Sequence, residues 1–406
     1  MEGGTTWSDD EFDHNRKDSG VFPSYLELVD EDDKESNHVS IDSVIPDDLL
    51  ERILTSLPLE CIFKACCVCK KWNEIVHSRR FMLNIAGILS QKPWYFMFTS
   101  SDEPIGYAYD PMLRKWYSFE LPYIETRNWF ISSSCGLVCI MDNDSRIELC
   151  VCNPLTRNYK KLEEPLGHKF SDYSALAFSV DSSSHSYTVA LVRSKQASED
   201  FVHWDISIHV YCSESMMWVS PVTENVAGWR GGGDSAICDG VLYFLVHNTR
   251  GMDWTQNRNG LLTYELNNQS SNGKLIDTLV EVPCCLTCGR LMNIKDELVM
   301  VGGIGRRDRP GIIKGIGIWV LKGREWEEVS RMPHKFFQGF GEFDDVFASC
   351  GSGDLIYIQS YGATALLMFD MNLKQWNWSQ KCPVTKRFPL QLFTGFCFQP
   401  RLELSP

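Results

Sequence analysis

Residues 45–81 read IPDDLLERILTSLPLECIFKACCVCKKWNEIVHSRRF, with apolar side chains at nearly every other position. Leu49, Leu50, Ile53, Leu54 and Leu57 recur at steps of one and three, which predicts a single apolar stripe on an α-helix. Pro46 suits the first helical position, and Asp47 and Asp48 place negative charge on the first turn, where the helix dipole favours it. Leu57-Pro58 ends that helix. A second short helix carries Ile62, Phe63 and Ala65. A third turns Trp72, Ile75 and Val76 inward and keeps Lys70, Lys71, Arg79 and Arg80 outside. Three short helices in roughly 40 residues bury too little surface to be secure alone. Their stripe must be covered, either by the downstream chain, as a helical cap, or by another protein, as a docking module.

These spacings resemble an F-box. The family pattern is a Leu-Pro pair, a Leu-Leu-x-x-Ile-Leu helix, a second Leu-Pro, then Val-Cys-Lys-x-Trp. Here those are Ile45-Pro46, Leu49-Leu50, Ile53-Leu54, Leu57-Pro58, Val68-Cys69-Lys70 and Trp72, with Phe81 as the closing aromatic. Ile45, where the family prefers Leu, is a conservative departure. Across residues 42–406 the chain is similar to plant F-box/kelch-repeat proteins, through WYFMFTS, GYAYDPMLRKWYSFELP, SSCGLVC, GWRGG, LTCGRLMN, VMVGGIG, KGIGIWVLKG and FFQGFGEFDDVFAS. The resemblance implies that Ile45, Pro46, Leu49, Leu50, Ile53, Leu54, Leu57, Pro58, Val68, Cys69 and Trp72 bind a Skp1-type adaptor, and through it a cullin-RING ubiquitin ligase.

From about residue 90 the pattern becomes repetitive. Tyr109-Asp110 is followed six residues after the Asp by Trp116, and Cys152-Asn153 by Tyr159 at the same offset. Tyr211-Cys212 leads likewise to Trp218, Trp319-Val320 to Trp326, and Phe369-Asp370 to Trp376. Each unit reads as a strand, a tight turn and a strand opening on a large ring. A sixth slot at Tyr264 is stretched by the polar NNQSSNGK loop. The spacing of roughly 43 to 59 residues is that of propeller blades. Each blade should run a, b, c, d outward from a central channel, with Gly302-Gly303 as a kelch-like mark where glycine lets the backbone turn. WYFMF, IGYAY and KWYSFE supply only b, c and d of the first blade, while LQLFTGFCF is a last strand without a blade. The economical solution is that the C-terminal strand closes the ring; an open solenoid is the alternative. The predicted architecture is mainly β with a small α-helical N-terminal module: a three-helix F-box unit, then a six-bladed kelch-type β-propeller closed by the C-terminal strand. The expected division is an acidic disordered tail at 1–40, the F-box at 41–82, a helical linker at 83–92 and the propeller at 93–406.

That order puts the short a–b and c–d turns on one face and the longer b–c and d–a loops on the other. ELPYIETRNW, ENVAGWRGGGDS, HNTRGMDWTQNRNG, GIGRRDRPG, SRMPHKFFQGFGEFD and QKCPVTKRFPL belong to the long set. Large rings and Arg anchor protein interfaces. The candidates for contact with a protein substrate are therefore Trp129, Trp229, Arg230, Trp254, Arg306, Arg307, Arg309, Phe336, Phe337 and Arg387. The alternative for each ring is that it packs its loop onto a blade.

Charge and composition narrow the function. The net charge is −14, of which residues 1–40 carry −9, so nothing predicts the basic surface that a nucleic acid needs. No apolar N-terminal run predicts a secretory signal or a membrane span, so the sixteen cysteines are expected reduced, in the nucleus or cytoplasm. Cys66-x-x-Cys69 and Cys285-x-x-Cys288 have metal-like spacing but lie in unrelated segments, and no cofactor or metal is expected. The nine histidines form no HExxH, the glycine runs lack a following Lys-Ser/Thr, and there is no Gly-x-Ser-x-Gly. The expected role is a non-catalytic substrate receptor of an SCF ubiquitin ligase. The alternatives are an adaptor-bound scaffold that sequesters partners and a propeller enzyme with a helical cap.

Overall fold

The computed structural model describes residues 45–88, 92–99, 105–121, 129–142, 148–163, 165, 171–197, 202–250, 258–267, 274–305, 312–340, 347–360, 363–384 and 393–406. Four helices open it: α1 (Asp47–Thr55), α2 (Leu59–Ala65), α3 (Lys70–Val76) and α4 (Arg79–Ile88). Pro46 and Pro58 take the N-cap positions of α1 and α2, where a missing N–H costs nothing, so Pro46 stands one residue earlier than expected. Residues 1–40 lie outside the described residues. α4 crosses the boundary expected between 82 and 83 without a break, so residues 83–88 continue the last helix of the F-box, and 89–91 lie outside the described residues.

Six four-stranded antiparallel sheets follow. The first blade holds β1 (Trp94–Thr99), β2 (Ile105–Asp110) and β3 (Lys115–Glu120). The second holds β4 (Trp129–Ser134), β5 (Leu137–Asp142), β6 (Leu149–Cys152) and β7 (Tyr159–Leu162). The third has β8 (Tyr173–Val180), β9 (Tyr187–Gln196), β10 (His203–Cys212) and β11 (Met217–Ala227). Blade four comprises β12 (Trp229–Cys238), β13 (Val241–Asn248), β14 (Asn259–Glu265) and the short β15 (Val280–Glu281). Blade five comprises β16 (Leu286–Ile294), β17 (Glu297–Gly305), β18 (Ile313–Lys322) and β19 (Glu325–Arg331). Blade six runs β20 (Phe347–Ser352), β21 (Leu355–Ser360), β22 (Leu367–Asp370) and β23 (Gln375–Trp378). The last strand, β24 (Phe393–Phe398), pairs antiparallel with β1 from Trp94↔Phe398 to Thr99↔Phe393 and supplies the missing inner strand of blade one. β24, β4, β8, β12, β16 and β20 touch in succession and return to β24, so the ring is closed.

The repeated unit is built from two devices. The side chain ending the third strand caps the turn after it: Asp110 Oδ1 accepts the N–H groups of Met112 (2.7 Å) and Leu113 (3.1 Å), and Asp370 Oδ1 those of Asn372 (3.0 Å) and Leu373 (2.9 Å). Asn153 Oδ1 does the same for Leu155 and Thr156. Such an Asx turn substitutes a side-chain acceptor for a backbone one, and here it holds Arg114, Arg157 and Lys374 at φ 54, 60 and 53. The second device is the ring that opens the outer strand. Trp116 faces Tyr109, Trp218 faces Tyr211 and Trp376 faces Phe369 across the turn. Each outer indole then donates its N–H backward to the preceding blade or the segment that follows it. Trp116 reaches Gln380 O (3.0 Å), Trp218 reaches Glu163 O (2.6 Å), Trp326 reaches Glu281 O (3.0 Å) and Trp376 reaches Ser330 Oγ (3.0 Å). The ring periodicity of the sequence is thus a row of inter-blade staples.

Three sequence expectations change. In blade five the turn is two residues, Gly323 and Arg324, so Trp326 faces Leu321 rather than Trp319. Gly302 and Gly303 make no turn; they lie inside β17, opposite Gly317 and Ile316. A Cβ at Gly302 would come within 2.7 Å of Leu286, and one at Gly303 within 2.5 Å of the Thr287 hydroxyl, so close packing requires them. ENVAGWRGGGDS is not a long loop. β11 and β12 meet at a single residue, Gly228, whose φ of +84 reverses the chain in one step. Beyond β24, residues 399–406 add a clasp that the sequence did not reveal. The buried Asn153 amide donates to Arg401 O and Leu404 O (2.8 Å each), while Leu402 and Leu404 sink into the cores of the first blades.

Trp376→Phe keeps the ring and deletes the indole donor, so it should cost about 1 kcal/mol and lower the melting temperature by a few degrees. Thermal unfolding measures this, and an unchanged melting temperature would mean that the indole staple adds nothing to stability.

Candidate functional site

The helices share one core with blade one. Leu50, Leu54, Leu59, Ile62, Ala65, Val76, Phe81 and Ile85 cluster with Trp94, Phe96, Tyr117, Phe396 and Phe398. The contact can be followed ring by ring. Phe398 meets Trp94 edge-on at 6.3 Å, Trp94 stacks on Tyr117 at 5.3 Å, and the Tyr117 hydroxyl donates to Glu60 of α2 at 2.8 Å. Lys64, one turn along, and Lys115 of β3 also reach the Glu60 carboxylate. The Lys64 ammonium, then the Tyr117 hydroxyl, hold the Glu60 carboxyl below its ordinary value against the opposing effect of burial. Lys92 reaches Asp370 in the c–d turn of blade six at 3.3 Å. Pro93 leads into the second strand of its blade and Lys115 begins the outer one, so the helices sit on the short-turn face. The long loops lie on the opposite face.

α1 presents two sides, not one stripe. Leu50 (2% exposed) and Leu54 (0%) face the shared core, whereas Leu49 (50%) and Ile53 (49%) face solvent. Val68, after α2, is 61% exposed; its neighbour Cys67 is exposed as well, and so are Pro46 and Pro58 at the helix starts. Ile45, Leu57, Cys69 and Trp72 are half-buried. Of the expected adaptor contacts, Leu50 and Leu54 are therefore core residues. Leu49, Ile53 and Val68 are the large apolar side chains offered outward. The helices are also tied at their polar rim. Asn84 donates to the buried Glu51 (2.5 Å), Lys71 pairs with Asp47 (2.7 Å) and Arg80 with Asp48 (2.9 Å).

On the opposite face the described candidates separate. Trp229 is half-buried in the blade-three and blade-four core, with its ring close against Gly260. Arg230, the second residue of β12, lays its guanidinium 3.9 Å over the ring of Tyr173, the first residue of β8. Phe336 and Phe337 lie on a short helix, α5 (His334–Phe337), packed against the core of blades five and six, with Phe336 6.3 Å from Trp378. These two rings pin their loop onto the blades. Trp129 opens β4, while Trp254, Arg306, Arg307, Arg309 and Arg387 lie outside the described residues. Tyr173, 38% exposed, escaped the sequence reading because it looks like a strand interior.

All sixteen cysteines are free thiols. Cys66 donates its S–H back to Ile62 O within the helix, and burial pushes Cys238 and Cys382 up to about 12, far from the thiolate that nucleophilic chemistry needs. Among the described residues no group of His, Cys, Asp or Glu side chains could hold a metal, and no helix is long and apolar enough to cross a membrane.

Four short helices fused to a closed propeller are the architecture of an F-box protein of the propeller class. Residues 43–84 match the F-box domain, and residues 112–287 match the β-propeller of F-box protein At3g26010-like proteins. The chain is 58% identical over 393 residues to the F-box/kelch-repeat protein At3g61590 of Arabidopsis thaliana, covering 94% of this chain and 95% of that one. It is 25% identical to F-box only protein 6 (87% and 73% covered) and 25% identical to SKP1-interacting partner 15 (89% and 98%), both of Arabidopsis thaliana. The chain belongs to the plant F-box/kelch-repeat proteins.

Glu60 gives the junction between helices and propeller a pH signature. Its carboxyl is held below the ordinary 4.5, so its contribution is fully present above that value and is lost as pH falls through the folded-state value. The stability gap between the native chain and Glu60→Gln should therefore be constant near neutrality and shrink below about pH 4.5. Melting temperatures of both across pH 3–7 test it, and a gap that persists at the acid end would contradict the pairing.

Proposed function

We propose that this chain is the substrate receptor of an SCF-type ubiquitin ligase, working in the nucleus or cytoplasm. The observation that carries this reading is the outward trio Leu49, Ile53 and Val68, mounted on helices fused to a propeller whose long loops face the other way. The name of the relative SKP1-interacting partner 15 supports the same choice of adaptor. In this reading the helical face docks on a Skp1-type protein and, through it, on a cullin-RING assembly. The loop face holds a target protein. Ubiquitin transfer then gains its rate from effective concentration, with the catalytic groups supplied by the ligase's other subunits. A shared core suits that task, because a loose joint would spread the target over unproductive positions. Accumulation of the captured protein on proteasome inhibition distinguishes a degradation receptor from a sequestering scaffold.

Leu49→Ala with Ile53→Ala should abolish co-purification with a Skp1-type protein while leaving the melting temperature within the range of ordinary surface changes. Leu54→Ala should instead cost about 2–5 kcal/mol through a core cavity. Retained co-purification in the double variant would refute the assigned docking face.

A further inference from the structure

We propose that the target docks on the loop-face end of the junction between blades three and four, and that it does so through an acidic segment. The proposal rests on the reading of the propeller as a target-binding domain. Its centre is Arg230 over Tyr173, with Tyr173 itself 5.7 Å from the ring of Trp204. The ring contact at Cζ orders Arg230 without itself using the N–H donors that pair with a carboxylate. Tyr173 is 38% exposed and supplies an apolar wall next to those donors.

Two donors at the same end of the blades are buried without a partner. The indole Nε1 of Trp204, a residue only 6% exposed, has no hydrogen-bond partner, and neither does the buried Oγ1 of Thr249. Thr249 sits beside the Gly228 pivot, its N–H donating to Gly228 O at 2.9 Å, one residue from the strand that carries Trp229 and Arg230. Buried polar atoms without partners are uncommon in native proteins, and both of these can donate to an oxygen acceptor. His247, paired with Arg230 across β12 and β13, is pushed down by burial, and Arg230 and Arg258 act in the same direction. Of the nearby described carboxylates, Asp172 already accepts the Gln196 N–H (2.8 Å) and Asp205 an amide proton of Asn225 (2.7 Å). The Arg230 guanidinium, an exposed ring beside it and two buried donors without partners describe a receptor for an acceptor-rich segment. Blade four stands half a ring away from blade one, and the patch is on the face opposite the helices, so a segment bound here would not compete with the adaptor.

The probe is a fluorescein-labelled oligoglutamate peptide, read by fluorescence anisotropy against the full-length chain. Binding should weaken with added salt and fall at least about tenfold in Arg230→Gln and in Tyr173→Ala. Lys322→Gln, a cation on the short-turn face, should leave it unchanged. Thr249→Val removes a donor without emptying space, so it should weaken binding even if a Tyr173 variant proves unstable. No binding, or equal loss with Lys322→Gln, overturns the proposal. Deleting residues 1–40, which carry a charge of −9, provides the other arm. A tenfold gain in peptide affinity on deletion would assign the patch to the chain's own tail and overturn its assignment to a target. Unchanged affinity supports the target. Co-purification with the adaptor is expected in every variant, so failure here is distinguishable from failure of the receptor reading.

Discussion

The structure depends on the pairing of β24 with β1. Six residues from the end of the chain complete the blade that begins just after the helices, and the ring closes without leaving an exposed inner edge. The same strand delivers Phe396 and Phe398 to the core on which Leu50, Leu54 and Phe81 sit. Ring closure and the seating of the helices are therefore one event. The helices rest on Trp94, Phe96 and Tyr117 of the first blade together with Phe396 and Phe398 of the last strand, and the clasp from Asn153 to residues 401 and 404 secures that strand from outside.

Around the ring, stability is distributed over repeated local solutions. Asx turns fix the outer strands of blades one, two and six, and the indoles that lead the outer strands of blades one, three, five and six bond back toward the preceding blade. Both devices use residue types that a turn or a blade edge selects for their own physical reasons, and so they show in the sequence as a spacing. This is why the six units, the closing strand and the two faces were legible. Blade five shows the limit: its Gly323 turn shortens the connection by two residues and shifts the partner of Trp326, a register detail that periodicity does not carry.

The candidate site was half legible for a similar reason. Successive helical residues are about 100° apart, so Leu49 and Leu50 belong to one broad stripe in sequence, but the stripe is wider than the shared core that covers it and Leu49 is left outside. Only the packed neighbour decides which leucine stays outside. At the other end, Arg230 was singled out as a loop residue, yet Gly228 makes it the second residue of an inner strand. Its ring partner, Tyr173, is 57 positions earlier and belongs to another blade, a proximity that no local pattern encodes.

In the proposed reading the molecule works at two ends with the propeller between them, an apolar one at the helices on the short-turn face and one at Arg230 and Tyr173 on the face opposite. Hydrogen–deuterium exchange of the full chain with and without a Skp1-type adaptor tests the two-ended arrangement most directly. The account predicts new protection in α1 and around Val68, with exchange at the starts of β8 and β12 unchanged. Protection appearing at Tyr173 and Arg230, with none in α1, would contradict it.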